Sequence, residues 1–180
     1  MRPSLSCVVA ALAATSLSAQ PSITDTRLLS QPALSATHVA FIYAGDLWSA
    51  KLDGTDVRRL TTADGDESNP FFSPDGSLIA FTGNYDGNSD VYVIPSTGGM
   101  PRRLTFHPAQ DIAQGFTPDG KRVLFVSNRG AVTTRLSQVF TVPVDGGVEE
   151  QLPIPNAFQV TYSPDGRRLA YNPLPRPFDE

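Results

Sequence analysis

The sequence predicts an all-β protein: a partial β-propeller of about three four-stranded antiparallel blades plus the first hairpin of a fourth. Three observations carry this. Ser73-Pro74-Asp75-Gly76 recurs as Thr117-Pro118-Asp119-Gly120 and as Ser163-Pro164-Asp165-Gly166, the copies standing 44 and 46 residues apart. Self-similarity at about 40–45 residues is the period of a propeller blade. The apolar runs between copies are short, rich in Val, Ile, Phe and Tyr, and bounded by Pro, Gly and Asp, as strands are. No window places apolar residues at i, i+3, i+4 and i+7 over a helical length.

The strands follow in order. In blade one (about 31–63), Val39–Tyr43 and Asp46–Leu52 read as the second and third strands, with Asp53-Gly54-Thr55 as a turn and Arg58–Thr61 as the fourth. Its first hairpin, Ser35-Ala36-Thr37-His38, lacks Pro-Asp-Gly, and terminal repeats are commonly atypical. Blade two (about 67–107) has Leu78–Phe81, Asp90–Pro95, a Gly98-Gly99 turn and Pro101–Thr105. Blade three (about 111–154) has Val123–Val126, Gln138–Pro143, a Gly146-Gly147 turn and Glu149–Pro153. A fourth blade begins near Ala157, continues through Leu169–Tyr171, and is partial over 157–180. The runs are nearly continuous rather than alternating, the pattern of sheets covered on both faces.

The recurring tetrapeptide has a mechanical reason. Pro is preset near φ ≈ −65° for the first central turn position, Asp suits the second, and Gly takes the left-handed conformation that follows. Asp75, Asp119 and Asp165 therefore read as turn residues in three different blades, not as a catalytic carboxylate set.

Residues 1–19 read as a signal peptide: Arg2 is basic, Val8–Leu17 is apolar, and Ser16–Ala19 offers small residues for cleavage. Residues 20–180 form the incomplete propeller, and after signal removal no membrane span is expected. Cys7 is the only cysteine and would leave with the signal, so neither disulfides nor thiol chemistry enter. The expected compartment is periplasmic or secreted. A formal net charge of −4 argues against nucleic acid, which needs a basic footprint. Arg58-Arg59 and Arg102-Arg103 share a repeat position and read as edge-strand charges that discourage sheet-to-sheet pairing.

No residue in the chain reads as catalytic, cofactor-binding or metal-ligating. There is no Gly-x-Ser-x-Gly, and His38 and His107 occupy dissimilar blade positions with no ligand-spaced partner. Asp86-Gly87-Asn88-Ser89-Asp90 alternates oxygen ligands like a calcium loop but lacks its downstream bidentate Glu, so a hairpin turn is the better reading. Trp48, Tyr92 and Phe140 hold equivalent third-strand positions, where packing between blades is favoured over ligand stacking.

Ala40–Trp48, Phe72–Gly76, Ala80–Asn88, Asp90–Val93, Arg102–Pro108, Thr117–Phe125 and Ala170–Leu174 together resemble the opening blades of tricorn-type serine peptidases. The resemblance covers about residues 25–178; the Ala-Gly-Asp-Leu-Trp and Tyr-Asn-Pro-Leu pieces are its most specific parts, and Ala131–Arg135 does not match. It implies a non-catalytic propeller that acts as scaffold and peptide gate, with a PDZ-like domain and a serine peptidase domain elsewhere in the parent. Implied partners are peptide or protein substrate, the remaining blades and catalytic domain of the parent, and a homo-oligomer; no cofactor is implied. Other propellers carry the same hairpin motif, so a protein-binding propeller resembling the Tol-system protein, or the propeller half of a prolyl-oligopeptidase-like hydrolase, stays open.

Propellers close with four to eight blades, so three and a half leave two sheet faces uncovered and the sequence reads as the N-terminal part of a longer protein. The chain expressed alone is expected to aggregate. A sharp monomeric peak in size-exclusion chromatography, with cooperative melting, would contradict this.

Overall fold

The computed structural model describes residues 29–130 and 137–173; the expected signal peptide, the loop at 131–135 and residues 174–180 lie outside them. Fourteen strands and no helix are present among the described residues. The first sheet is β1 (Leu29–Leu34), β2 (His38–Tyr43), β3 (Asp46–Lys51) and β4 (Arg58–Arg59), and the second is β5 (Asp66–Phe72), β6 (Leu78–Tyr85), β7 (Asn88–Pro95) and β8 (Arg102–Arg103). The third is β9 (Asp111–Phe116), β10 (Arg122–Ser127), β11 (Gln138–Pro143) and β12 (Glu150–Gln151). A hairpin of β13 (Ala157–Tyr162) and β14 (Leu169–Pro173) forms the fourth. Every sheet is an antiparallel meander in chain order, which is the blade of a propeller.

Each closing strand is two residues long where four or five were expected. One residue on, Leu60 and Leu104 are buried and still donate their N–H to the Leu47 and Val91 carbonyls of the third strands, at 2.8 Å each. The remaining edge is charged: Arg58, Arg102 and Glu150 are exposed there.

The tetrapeptide turns repeat atom for atom. Gly76, Gly120 and Gly166 sit at φ of 74°, 69° and 67°, and each donates its N–H to the carbonyl three residues back, Ser73, Thr117 or Ser163, at 2.8 Å. The hydroxyls of those residues donate to Asp75, Asp119 and Asp165. Each Asp also accepts the N–H two residues on, from Ser77, Lys121 or Arg167. These bonds hold the Asp75 carboxyl down at about 2, with the Ser73 hydroxyl as the largest cause.

The blades stack apolar face on apolar face. Register places Ile79, Phe81, Tyr92 and Ile94 on one face of the second blade, against Ala40, Ile42 and Leu47 of the first. Val123, Phe125, Phe140 and Val142 repeat that set in the third, against Ala80, Val91 and Val93. Phe81 stacks on Tyr92 with ring centroids 5.6 Å apart at 21°, and Phe125 on Phe140 at 5.5 Å and 21°. Burying each such side chain stabilises by roughly 1.5–3 kcal/mol.

The turns also touch one another. A Cβ built on Gly120 would lie 3.5 Å from Pro74, and one on Gly166 would lie 2.7 Å from Pro118. Each Pro thus packs on the Gly of the next blade. Gly166→Ala is expected to destabilise by more than Gly54→Ala, because both strain a left-handed backbone at about 1–2 kcal/mol but only Gly166 also meets a neighbour; nothing lies within 4 Å of a Cβ on Gly54. Urea unfolding of the two variants measures the difference.

Candidate functional site

The first strand of each sheet has an open edge, and β1, β5 and β9 lie against one another in succession. Each carries a register break: between Ser30 and Ala33, between Ser68 and Phe71, between Ala113 and Gly115, and between Ala157 and Gln159 in β13. Gln31 and Asn69 occupy the first two with φ of 51° and 53°, and Gly115 sits at 135°. A left-handed non-glycine residue costs about 1–3 kcal/mol, so two at one repeat position mark a constraint.

The constraint is a bond across each seam. The Gln31 side-chain oxygen accepts from the Asn69 N–H at 2.5 Å. Thr82 Oγ1 accepts from the Ala113 N–H at 3.0 Å, and Gln114 Oε1 from the Val160 N–H at 3.3 Å. Each blade thus satisfies an inner-edge N–H of the next, a group that would be costly to leave unpaired.

Farther out, the seams hold buried acids. Glu67, 2% exposed, accepts from the Leu47 N–H at 3.1 Å, from Thr61 Oγ1 at 2.7 Å, and from the Tyr85 hydroxyl. Asp111, Thr105 and Arg129 stand 44 residues after Glu67, Thr61 and Tyr85. Arg129 bonds Asp111 at 2.5 Å and Glu149, and its guanidinium lies 5.3 and 5.0 Å from the Phe125 and Phe140 ring centroids. At the next seam Pro153 and Ala157 replace hydroxyl and acid together. The outer ion pairs behave alike: Asp46–Arg59 and Asp90–Arg103, each 2.6 Å, give way in the third blade to Gln138 and Gln151.

The residues weighed from sequence take plain positions. Asp75, Asp119 and Asp165 stay in their turns, and the Ser73 hydroxyl is committed to Asp75 and the Leu78 backbone. His38 opens β2 beside Thr37 Oγ1 at 2.8 Å; His107 is an exposed residue between blades two and three whose Nδ1 accepts the Ala109 N–H. Asp86 and Gly87, with φ of 55° and 81°, form the tight hairpin between β6 and β7. Asp90 of that segment points inward to Arg103, and Asn88 donates to Asp90 and to the His107 carbonyl. Among the described residues no group of three His, Cys, Asp or Glu could hold a metal. Tyr92 and Phe140 pack between blades, while Trp48 is half-buried and meets Tyr43 edge to face. Arg103 departs from the solvated role expected of it by pairing with the buried Asp90. The inner-edge carboxamides and seam acids escaped the sequence reading; overlaying the repeats at a 44-residue offset exposes Glu67 with Asp111, but nothing local marks a bulge.

A cavity of about 400 Å³ opens beside these inner strands, lined by Phe71, Gln114, Gln159, Thr161, Tyr171 and Asn172 among others. No charged side chain lines it. Carboxamides, a hydroxyl and two aromatic rings can hold neutral hydrogen-bonding groups, and they supply no nucleophile–base pair.

Burial pushes the Glu67 carboxyl above its ordinary value near 4.5, against the hydrogen bonds that it accepts. The folded chain therefore holds this proton to higher pH than the unfolded chain, and the group's contribution to stability falls as pH rises above 4.5. Glu67→Gln removes the titration. The variant should gain stability relative to the native chain between pH 4.5 and 7, and a pH-independent difference in melting temperature would count against it.

Residues 26–180 match the tricorn protease N-terminal beta propeller domain. The chain is 38% identical over 116 residues to tricorn protease homolog 1 of Streptomyces coelicolor, covering 64% of this chain and 11% of that protein. It spans only about a tenth of the length of that relative. Among solved structures, a putative TolB from Agrobacterium tumefaciens superposes with a TM-score of 0.67 at 28% identity, over 80% of this chain and 53% of that one. The crystal structure of the tricorn protease superposes with a TM-score of 0.68 at 22% identity, over 76% of this chain and 14% of that one, a likeness of fold. With the family match running through all four sheets, this chain belongs to the tricorn protease N-terminal β-propeller family.

Proposed function

We propose that the chain is the non-catalytic propeller of an exported tricorn-type serine peptidase, a scaffold that binds and gates peptide on its way to or from a catalytic domain. The observation that carries this reading is the family match over 26–180. Its geometry agrees: open inner strand edges, neutral polar side chains at a cavity, and no nucleophile–base pair among the described residues. Export rests on the signal-like residues 1–19. The whole protein's peptidase activity belongs to this proposal, because the curated relative is far longer. A second reading, a propeller that binds a protein partner, draws on the likeness to the putative TolB, of which this chain covers 53%.

Unfolded polypeptide separates this reading from its rivals. Fluorescein-labelled, carboxymethylated casein should bind the soluble fraction of the chain, freed of aggregate by size-exclusion chromatography, as read by fluorescence anisotropy, and be recovered uncut by mass spectrometry. No binding would remove the peptide-handling role. Casein cleavage by homogeneous chain would overturn the non-catalytic assignment.

A further inference from the structure

The pair Asp-Gly occurs seven times in the chain. It is open to spontaneous rearrangement, because glycine has no Cβ to shield its nitrogen from the side chain before it. The glycine nitrogen attacks the aspartate Cγ: a C–N bond forms, the C–OH bond breaks, and the hydroxyl leaves with the amide proton as water. Water then opens the five-membered imide at one of its two carbonyls. One opening restores aspartate. The other leaves isoaspartate, of unchanged mass, with the main chain running through the side-chain carbon.

The fold closes six of the seven pairs. Gly54, Gly76, Gly120, Gly146 and Gly166 each donate their N–H to a backbone carbonyl three residues back, at 2.8 or 2.9 Å. Attack at these nitrogens requires the bond to break and the turn to open locally. Asp86-Gly87 is clasped in a two-residue hairpin by the pairing of Tyr85 with Asn88. Four of the carboxyls are held as well. Asp53 accepts from the Thr55 hydroxyl, and Asp75, Asp119 and Asp165 accept from the hydroxyl two residues back. These bonds keep all four carboxyls below their ordinary value of 3.8, which makes scarce the protonated form whose hydroxyl can leave.

Asp64-Gly65 is the exception. It lies in an exposed run, residues 62–66, that joins β4 to β5. Among the described residues, no backbone bond closes a turn across it. Glycine is required there, since Gly65 sits at φ of 140° against the Asn84 carbonyl and a Cβ would lie 2.8 Å from the Tyr85 ring. The run joins two complete blades, so its exposure does not depend on a missing one.

We propose that Asp64 is a site of spontaneous isoaspartate formation, the one Asp-Gly pair of this chain that the fold leaves free to react. The consequence falls on the first seam. Thr61 and Glu67 flank the run and bond each other at 2.7 Å, and Glu67 also accepts the Leu47 N–H. One more main-chain carbon between them alters the spacing on which these bonds depend, so modification at Asp64 loosens blade two from blade one.

The test ages the soluble chain, freed of aggregate by size-exclusion chromatography, at neutral pH and physiological temperature, and then digests it with trypsin. No Lys or Arg stands between Leu60 and Arg102, so one tryptic peptide carries Asp64, Asp75 and Asp86 together. Electron-transfer fragmentation separates isoaspartate from aspartate at each position. Isoaspartate should accumulate at Asp64 about tenfold faster than at Asp75, the factor set by one backbone hydrogen bond that must first open. In urea the three rates should converge. The aged chain should melt at a lower temperature than the fresh one. Asp64→Glu, whose longer side chain closes a six-membered ring more slowly, should keep its melting temperature on ageing. A fresh melt matching the native chain shows that this variant folds; if it does not, the comparison of the three positions still runs on the native chain. Equal rates at Asp64 and Asp75 in the folded chain, a lead by Asp86, or a ranking unchanged in urea would overturn the proposal. Unaltered melting of chain that carries isoaspartate at Asp64 would remove the link to the first seam.

Discussion

A four-stranded sheet that is apolar on both faces has no stable existence alone. Everything in this chain follows from that constraint. Each blade must lay one face on the blade before it and the other on the blade after it, and in the second and third blades the face laid on the preceding blade carries a stacked aromatic pair. Phe81 and Tyr92 press on Ala40 and Leu47; Phe125 and Phe140 press on Ala80 and Val91. The identical tilt of the two aromatic stacks shows one packing solution used twice. The turns join in, because Pro118 of one blade nearly fills the space where a Cβ on Gly166 of the next would lie.

Apolar packing resists separation but leaves neighbouring sheets able to slide. Polar bonds between blades remove that freedom. The inner staples fix each first strand against the preceding blade, and Glu67 reaches from the second blade to the Leu47 N–H and Thr61 hydroxyl of the first. Buried acids are costly unless bonded; Glu67 accepts three hydrogen bonds, while one carboxylate oxygen of Asp111 is buried without a partner among the described residues and the other bonds Arg129. Where the acid becomes Ala157 the hydroxyl becomes Pro153, and where Asp becomes Gln138 its Arg becomes Gln151. At the first seam the acid and hydroxyl bond each other, Thr61 to Glu67, whereas at the second Thr105 bonds Asp90 and Asp111 bonds Arg129. The third seam keeps its apolar contacts and the Gln114 staple but has lost the acid–hydroxyl pair.

How far the sequence could be read depended on the range of the forces involved. The tetrapeptide turns were legible because their bonds run within six residues: Ser73, Asp75, Gly76 and Leu78 close on one another without help. The hairpin at Asp86-Gly87 was legible for the same reason. The third-strand aromatics could be assigned to packing because their equivalents recurred at the blade period. The length of the closing strands was not legible, since no residue near Arg59, Arg103 or Gln151 marks where the strand ends. Nor was Arg103, whose partner Asp90 lies across the sheet.

The sequence by itself determined the blade period, the antiparallel meander, the turn chemistry and the family, because each is written in residues close together or repeated at a constant interval. Only the tertiary structure decided which face of each strand leads, where the first strands break register, and which carboxamides meet a neighbouring backbone. Those are relations between sheets, fixed by shape and by the need to pair every buried N–H. No local pattern of residues encodes the distance from Gln114 to Val160.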